Sequence, residues 1–315
     1  MRLALASFVL ACVADAHLTL WHPSLYGFNW PDLGDAPIQH GQLVDPVNPA
    51  RGMDNLTVSE WFGHNMRNCT PAADAFMELE TGKTATFEIG CNRAFTKYRP
   101  PEWSYKAKPL LQYCCPEHGP LHTANEYGTP YARLNVSRFG GTALAIAYES
   151  DPYKVKPEDM VVISVNHTSP WFRLVEYRIP PGLPPCPKDG CICTWNWIHT
   201  RMNGEGYGNE IYNNMYKCKI TGKTNKFAML PQPVPPEQDC AGAPEKCTPG
   251  AKQPMYMFQK DGNNLPNPRH LTETPTYVSR FADGAQADAV VGAARRDGAS
   301  VAVGAVALAL GFAMI

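Results

Sequence analysis

Short segments in which apolar and polar residues alternate constrain the fold of this chain more than any other feature of its sequence. In KTATFEIGC, residues 83–91, the side chains of Ala85, Phe87 and Ile89 fall on one face of an extended strand. TALAIAYES, from Thr142, repeats the two-residue period. MVVISVN and WFRLVEYRIP flank the turn residues HTSP, and this arrangement predicts a β-hairpin.

Glycine and proline interrupt any longer helical pattern, since 25 glycines and 30 prolines make up 55 of the 315 residues. A short helix is expected within VSEWFGHNM, after Asn55. A proline-rich stretch runs from Pro231 to Pro254, and an extended C-terminal arm is expected beyond Gly262. We therefore expect an all-β fold, a β-sandwich with long disulfide-pinned loops, formed as one domain over residues 17–285.

The first sixteen residues have the composition of a secretory signal peptide. Arg2 precedes an apolar run over residues 3–14 that is too short to span a bilayer, and Ala14-Asp15-Ala16 is a typical cleavage site. Cleavage makes His17 the first residue of the mature chain. An N-terminal histidine can chelate a metal ion through its amine and its imidazole, and such nitrogen ligands suit copper. The alternative is that histidine stands at this position by chance.

Ten of the eleven cysteines remain after signal removal, and an even number in a secreted chain predicts five disulfide bonds. Short loops and local sequence favour three pairs, and two further pairs use the remaining cysteines. Other pairings stay open, and a zinc site is the alternative for CPKDGCIC, although no second C-x-x-C follows it. The predicted pairs are Cys186–Cys191, Cys193–Cys218, Cys240–Cys247, Cys69–Cys114 and Cys91–Cys115.

Four N-x-S/T sequons predict surface N-glycosylation of a protein that passes through the secretory pathway. One sequon could arise by chance, whereas four together agree with the signal peptide and the cysteine content. The four asparagines are Asn55, Asn68, Asn135 and Asn166.

The last sixteen residues, Ser300 to Ile315, form an apolar run. A transmembrane helix needs about 20 apolar residues and usually a basic cytoplasmic flank, whereas Arg295 and Arg296 precede this run. Small residues at 287–289 or 292–294, followed by a polar spacer and the apolar run, fit a GPI-attachment signal. We expect residues 286–315 to be spacer and attachment tail on a secreted protein at the outer cell surface. The alternative is a short membrane anchor.

Net charge and motifs exclude several classes of function. The formal net charge is −1 and no long basic run occurs, so nucleic acid is not an expected partner. The G-x-S-x-G, H-E-x-x-H and P-loop motifs do not occur, and no pattern singles out the carboxylate pair of a glycosidase. Histidines remain as candidates, and His118 and His122 share the loop CCPEHGPLHTA, where flanking cysteines can hold a ligand rigidly.

Five stretches of the chain resemble a known family. They are HLTLWHPSLYGFNW, TALAIAYESD, CICTWNWIH, NEIYNNMYKC and GAKQPMYMFQKDGNN. Together they are similar, in order from His17 to about Asn264, to the fungal lytic polysaccharide monooxygenases of auxiliary activity family fourteen, reported as xylan-active. The resemblance implies an immunoglobulin-like β-sandwich that holds one copper ion in a histidine brace.

In the brace that the resemblance implies, His17 binds copper through its amine and its side chain. The second histidine falls on His122, with His118 as the alternative because the surrounding loop departs from the family pattern. Tyr212, in NEIY, falls on the axial position. His199, at the end of WNWIH, is expected to lie behind the copper ligands.

The function implied by the resemblance is oxidative cleavage of plant cell-wall polysaccharide, with xylan associated with cellulose as the expected substrate. An external electron donor and oxygen or hydrogen peroxide take part, and a monomer is expected. Two alternatives are a GPI-anchored copper-binding surface protein without polysaccharide cleavage and a structural cell-wall glycoprotein that merely begins with histidine. Trp21, Tyr26 and Trp30 either stack on sugar rings or belong to the core.

We predict that the secreted protein begins at His17, because Ala14-Asp15-Ala16 is the cleavage site. N-terminal sequencing of the secreted chain measures this directly. A different first residue would remove the amine ligand and with it the histidine brace.

Overall fold

The computed structural model describes residues 18–28, 53–90, 93, 96–98, 114, 140–198, 210–266 and 275–292. The prediction of an all-β sandwich is confirmed, because the secondary structure there is almost entirely strand. Two helices have four residues each, and none of the described helices is long and apolar enough to cross a membrane. The strands are β1 (Thr19–Trp21), β2 (Met77–Glu80), β3 (Thr84–Gly90), β4 (Thr142–Ala147), β5 (Val161–Asn166), β6 (Leu174–Arg178), β7 (Cys191–Ile198), β8 (Ile211–Thr221) and β9 (Gly284–Ala285), and the helices are α1 (Val58–Trp61) and α2 (Tyr277–Arg280).

The strands form two sheets. The larger sheet has the order β2-β8-β7-β4-β5-β9 and the smaller has the order β1-β3-β6. All pairings are antiparallel except that of β2 with β8. The alternation in KTATFEIGC does produce strand β3, with Phe87 and Ile89 buried. β4 and β7, central in the larger sheet, are buried along their full length.

Hydroxyl groups join the two sheets across the core. The hydroxyl of Tyr177 on β6 accepts a hydrogen bond from Trp195 Nε1 on β7 at 2.9 Å and lies 2.5 Å from Thr142 Oγ1 on β4. Tyr216 on β8 donates from its hydroxyl to the carbonyl oxygen of Leu20 on β1 at 2.7 Å. Burial raises the pKa of the Tyr177 phenol far above its ordinary value, so this group stays protonated as a neutral hydroxyl.

The predicted hairpin around HTSP is wrong. β5 pairs with β4 and β9 in the larger sheet, whereas β6 pairs with β3 in the smaller sheet. The connection over residues 167–173 therefore crosses between the sheets, and Trp171 within it is buried. Alternation specifies that both segments are half-buried strands, and it carries no information about which partner each strand takes.

Three of the predicted disulfide bonds occur in the structure, namely Cys186–Cys191, Cys193–Cys218 and Cys240–Cys247. The first two use cysteines of CPKDGCIC, so the zinc alternative for that segment is wrong. The carboxylate of Glu237 lies close to Cys240 and Cys247, but sulfur atoms in a disulfide are not metal-binding thiolates.

The predicted pair Cys69–Cys114 is wrong, because Cys69 carries a free thiol that donates to Asn68 Oδ1 at 3.4 Å. Burial raises the pKa of this thiol, which keeps it protonated and weakly reactive. This pair was predicted only because its cysteines remained after the short-loop pairs had been assigned. Its two cysteines are far apart in sequence, so no short loop holds them close together. The pair Cys91–Cys115 lies outside the described residues.

Two of the predicted glycosylation sites, Asn55 and Asn68, are exposed. Asn166 is half-buried, and its amide nitrogen donates to the carbonyl oxygen of Glu176 at 2.9 Å. Asn135 lies outside the described residues. Glycosylation stays a prediction at all four positions.

The QKDGNN stretch holds α1 in place. Asp261 Oδ1 accepts from the backbone nitrogen of Val58 at 2.6 Å, and the Asp261 carbonyl oxygen accepts from Trp61 Nε1 at 3.0 Å. Gly262, the next residue, has φ +76° and lies so close to α1 that a Cβ would overlap Val58 Cγ2. The close approach and the left-handed backbone both require glycine here.

We expect Gly262→Ala to lower the free energy of unfolding by about 2–4 kcal/mol, because it adds steric overlap to left-handed strain. A guanidinium titration of the purified chain measures this. Gly242→Ala is the matched control, since a Cβ at Gly242 would meet nothing within 4 Å. An equal loss in both variants would show that contact with α1 is not the cause.

Candidate metal centre

Of the sequence-predicted metal ligands, only Tyr212 lies within the described residues. His17, His118, His122 and His199 lie outside them, and their positions stay predictions. The structure does describe the residues next to two of these histidines, Leu18 and Ile198. Leu18, which follows His17, is fully buried immediately before β1, and Ile198, which precedes His199, is the register partner of Ile211.

Tyr212 is packed among aromatic rings near the beginning of β8, with only 1% of its surface exposed. Its register partner on β7 is Trp197, whose ring centroid lies 4.6 Å away. The ring of His64 stacks on Tyr212 at 5.5 Å with an interplanar angle of 22°. Trp195 makes an edge contact at 6.5 Å. These contacts hold the phenol ring in one orientation.

His64 itself is almost fully buried, in the turn that follows α1. Its Nδ1 accepts a long hydrogen bond, 3.5 Å, from the backbone nitrogen of Asn213. The neighbouring Gly63 donates from its backbone nitrogen to Asn213 Oδ1 at 2.8 Å. His64 was one of the candidate histidines of the sequence, but no role could be given to it, because no local motif marks it and the residues it contacts are about 150 positions away.

The stretch GAKQPMYMFQKDGNN also supports Tyr212, through the side chain of Gln259. Gln259 donates from Nε2 to the Met53 carbonyl at 2.7 Å, and its Oε1 accepts from the Leu56 backbone at 3.2 Å. Met53 in turn exchanges two backbone hydrogen bonds of 3.0 Å with Ile211, the residue before Tyr212. Gln259 therefore fixes the start of β8 through residues 53–56.

A buried carboxylate also lies near this end of β8. Glu210 stands two residues before Tyr212, immediately before β8. One oxygen of its carboxylate, Oε2, is buried, although the residue as a whole is half-buried. Its position in NEIY could have drawn attention to Glu210, but only the tyrosine of this motif was singled out from the sequence.

Comparison with known proteins decides the family. A family model described as lytic polysaccharide monooxygenase AA14 matches residues 1–308. The chain belongs to this AA14 family. The predicted resemblance is thus confirmed over nearly the whole sequence.

Several fungal relatives of this AA14 chain carry the same family description. The AA14 family lytic polysaccharide monooxygenase B of Trametes coccinea (strain BRFM310) is 33% identical over 291 residues, covering 89% of this chain and 64% of the relative, slightly less than two thirds of its length. The protein of that name from Pycnoporus cinnabarinus is 33% identical, covering 88% and 70%. The one from Talaromyces rugulosus is 30% identical, covering 88% and 93%.

Among solved structures, that of the glycoside hydrolase family 61 member Cel61B from Hypocrea jecorina shows 12% identity over 85% of each chain, with a TM-score of 0.33. A score that low carries no conclusion about this AA14 chain.

Two of the three candidate sugar-stacking aromatics of the AA14 chain belong to the core. Trp21 is fully buried and Tyr26 is 3% exposed, so neither ring offers a face to a polysaccharide. Trp30 lies outside the described residues. His22 is also engaged, because its Nδ1 lies 2.8 Å from Ser24 Oγ and burial lowers the pKa of its imidazole to about 4.

We expect His64→Asn to lower the free energy of unfolding of the AA14 chain by about 2–3 kcal/mol. Asparagine tolerates the left-handed backbone of this residue, φ +57°, so the loss reports the missing ring over Tyr212. Near-ultraviolet circular dichroism should change together with the guanidinium midpoint. His167→Asn, at a half-buried histidine that contacts the Phe281 carbonyl, should cost less than about 1 kcal/mol. Similar losses in the two variants would contradict a specific role for the stack.

Proposed function

We propose that this protein is a copper-dependent lytic polysaccharide monooxygenase that cleaves plant cell-wall polysaccharide oxidatively, with xylan associated with cellulose as its substrate. The observation that carries the proposal is the rigidly packed Tyr212 in a chain that belongs to the AA14 family. Its position in NEIY is where the family resemblance implies an axial tyrosine.

The amine and side chain of His17, the side chain of His122 and the phenol of Tyr212 would hold a single copper ion. Three neutral nitrogens bind both Cu(I) and Cu(II), and a phenol is a suitable oxygen donor. Bound copper would supply one-electron chemistry with oxygen or hydrogen peroxide, using electrons from an external donor.

The described residues fit such a site in two respects. β1 pairs with β3 directly after His17, with Thr19 opposite Gly90, so the N-terminal ligand is joined to a fixed strand. Trp197 and His64 pack against Tyr212, and they exclude water from its ring. These two residues would therefore hold the ring of Tyr212 in place beside a bound copper ion.

Proton release is a further consequence of the proposed ligand set. A free N-terminal amine has a pKa of about 7.7–8.0, and copper must displace its proton. Copper affinity should therefore fall as the pH is lowered below this range.

We further propose that the protein is a secreted monomer with a GPI anchor. The support is the signal peptide over residues 1–16 and the apolar run Ser300–Ile315 behind small residues and a spacer. The same run favours a second function, a tethered copper-binding surface protein, because an anchored enzyme does not diffuse into wood.

The test of the proposed function uses secreted, copper-loaded protein whose first residue has been verified as His17. We expect a Cu(II) electron paramagnetic resonance signal, and oxidised xylo-oligosaccharides by mass spectrometry from xylan-coated cellulose with a reductant. His122→Ala should weaken copper binding by more than about 100-fold, beyond the 10–100-fold effect of losing a supporting contact, and abolish product.

His118→Ala is the matched control from the same loop and should leave both readouts unchanged. The reverse result would reassign the second ligand to His118 and leave the chemistry in place. Copper binding without any oxidised product would favour the surface-protein function, and loss of binding in neither variant would contradict the histidine brace.

A further inference from the structure

Three apolar side chains form an exposed cluster that the proposed copper chemistry does not use. Phe227 is 79% exposed, Met229 is 67% exposed and Val291 is 43% exposed. We call these three residues the distal patch. Single exposed apolar residues are ordinary on a protein surface, but a cluster of them marks a site of interaction.

Backbone hydrogen bonds hold the distal patch in a fixed shape. Met229 and Val291 exchange two bonds, of 3.1 and 3.0 Å. Phe227 donates from its backbone nitrogen to Asn225 Oδ1 at 3.0 Å, and Asn225 Nδ2 donates to the carbonyl oxygen of Gly292 at 3.4 Å. The exposed side chains are therefore presented by an ordered pair of segments.

An open groove adjoins the distal patch at Met229. It has a volume of about 370 Å³, and its lining includes Leu230, Pro231, Pro233 and Tyr148. Asp159 and Gln232 also line it, so the groove has mixed polarity and the apolar cluster is limited to the three residues of the patch.

The distal patch lies at the opposite end of the sandwich from Tyr212. β8 passes Tyr212 at its second residue and ends at Thr221, nine residues later, which is about 30 Å of extended chain. The patch begins six residues beyond that strand end. The groove agrees with this placement, because its lining residue Ala147 pairs with Ile192, whereas Thr142, at the other end of β4, pairs with Trp197 beside Tyr212.

The chain beyond the patch indicates what covers it. Val291 belongs to the patch, and only seven residues separate Gly292 from the apolar run Ser300–Ile315. Basic residues accompany the patch, since Lys226 Nζ lies 5.0 Å from the Phe227 ring centroid and Lys223 is close in sequence. Apolar and aromatic side chains flanked by lysines occur on protein surfaces that lie at the boundary between lipid headgroups and acyl chains.

We propose that the distal patch rests on the outer surface of the lipid bilayer to which the chain is anchored. Phe227, Met229 and Val291 enter the boundary between headgroups and acyl chains, and the Tyr212 end points away from the membrane. The proposal rests on the proposed anchor and is independent of the copper chemistry.

The test places a tryptophan in the patch of the full chain. Phe227→Trp protein is isolated from host membranes and reconstituted into vesicles of phosphatidylcholine, with or without brominated phosphatidylcholine. The difference from wild-type emission isolates the added indole. We expect a blue shift and loss of this emission in brominated vesicles. The matched control is Leu174→Trp, at a 51% exposed residue at the start of β6 in the other sheet, which should show neither effect.

The outcomes separate the proposals. Vesicle-bound protein whose added emission is insensitive to bromine would overturn the patch proposal and leave the anchor standing. A blue shift without bromine quenching would likewise overturn it, because the apolar run or a second copy would then cover Phe227. Protein that does not float with vesicles at all would overturn both the anchor and the patch. Copper loading of wild-type protein, measured in parallel, reports on the proposed function separately.

Discussion

The antiparallel ladder between β7 and β8 is the interaction on which the rest of the structure depends. Eight consecutive register pairs run from Cys191 opposite Cys218 to Ile198 opposite Ile211. One end is closed covalently by Cys193–Cys218, and the other end sets Trp197 against Tyr212. A shift of the register by one residue would turn Tyr212 to the other side of the sheet, so the ladder determines whether the candidate site exists.

Buried amide groups reinforce that register from within the sheet. Asn213 Nδ2 donates to Asn196 Oδ1 at 2.6 Å across the ladder, and Asn196 Nδ2 donates to Thr194 Oγ1 at 3.0 Å. Asn213 Oδ1 then accepts from Gly63, which belongs to the same turn as His64. An unpaired amide here would be costly, so these bonds favour one alignment of β7, β8 and the turn after α1. Tyr212 therefore receives His64 and Trp197 through the same set of contacts.

The sequence predicted what local patterns can specify. Alternation identified β3 and β4, and short loops identified disulfides such as Cys186–Cys191. The strands on either side of HTSP were identified, but their pairing was not, because the partner of a half-buried strand depends on sheet order.

Local sequence patterns could not predict contacts between distant parts of the chain. The stack of His64 on Tyr212 joins residues that no motif connects, and Cys69 was paired by elimination alone. The role of Tyr212 stays a prediction from family resemblance, since a buried tyrosine in a strand is otherwise an ordinary core residue. Its support by Gln259 could not be foreseen, although Gln259 lies in GAKQPMYMFQKDGNN, one of the five stretches that resemble the family.

The C-terminal arm has a consequence for where a lipid could be joined to the chain. The part of the arm that the structure describes from residue 275 onward lies beside Gly140, pairs with β5 through β9 and reaches Met229. Ala289 is fully buried within it. Transamidation at residues 287–289 would cut the arm before Val291 and leave the backbone groups of Met229 without their partners. Joining at residues 292–294 would keep every bond of the arm. Of the two stretches of small residues, the second is therefore the one at which the proposed attachment would leave the folded arm intact.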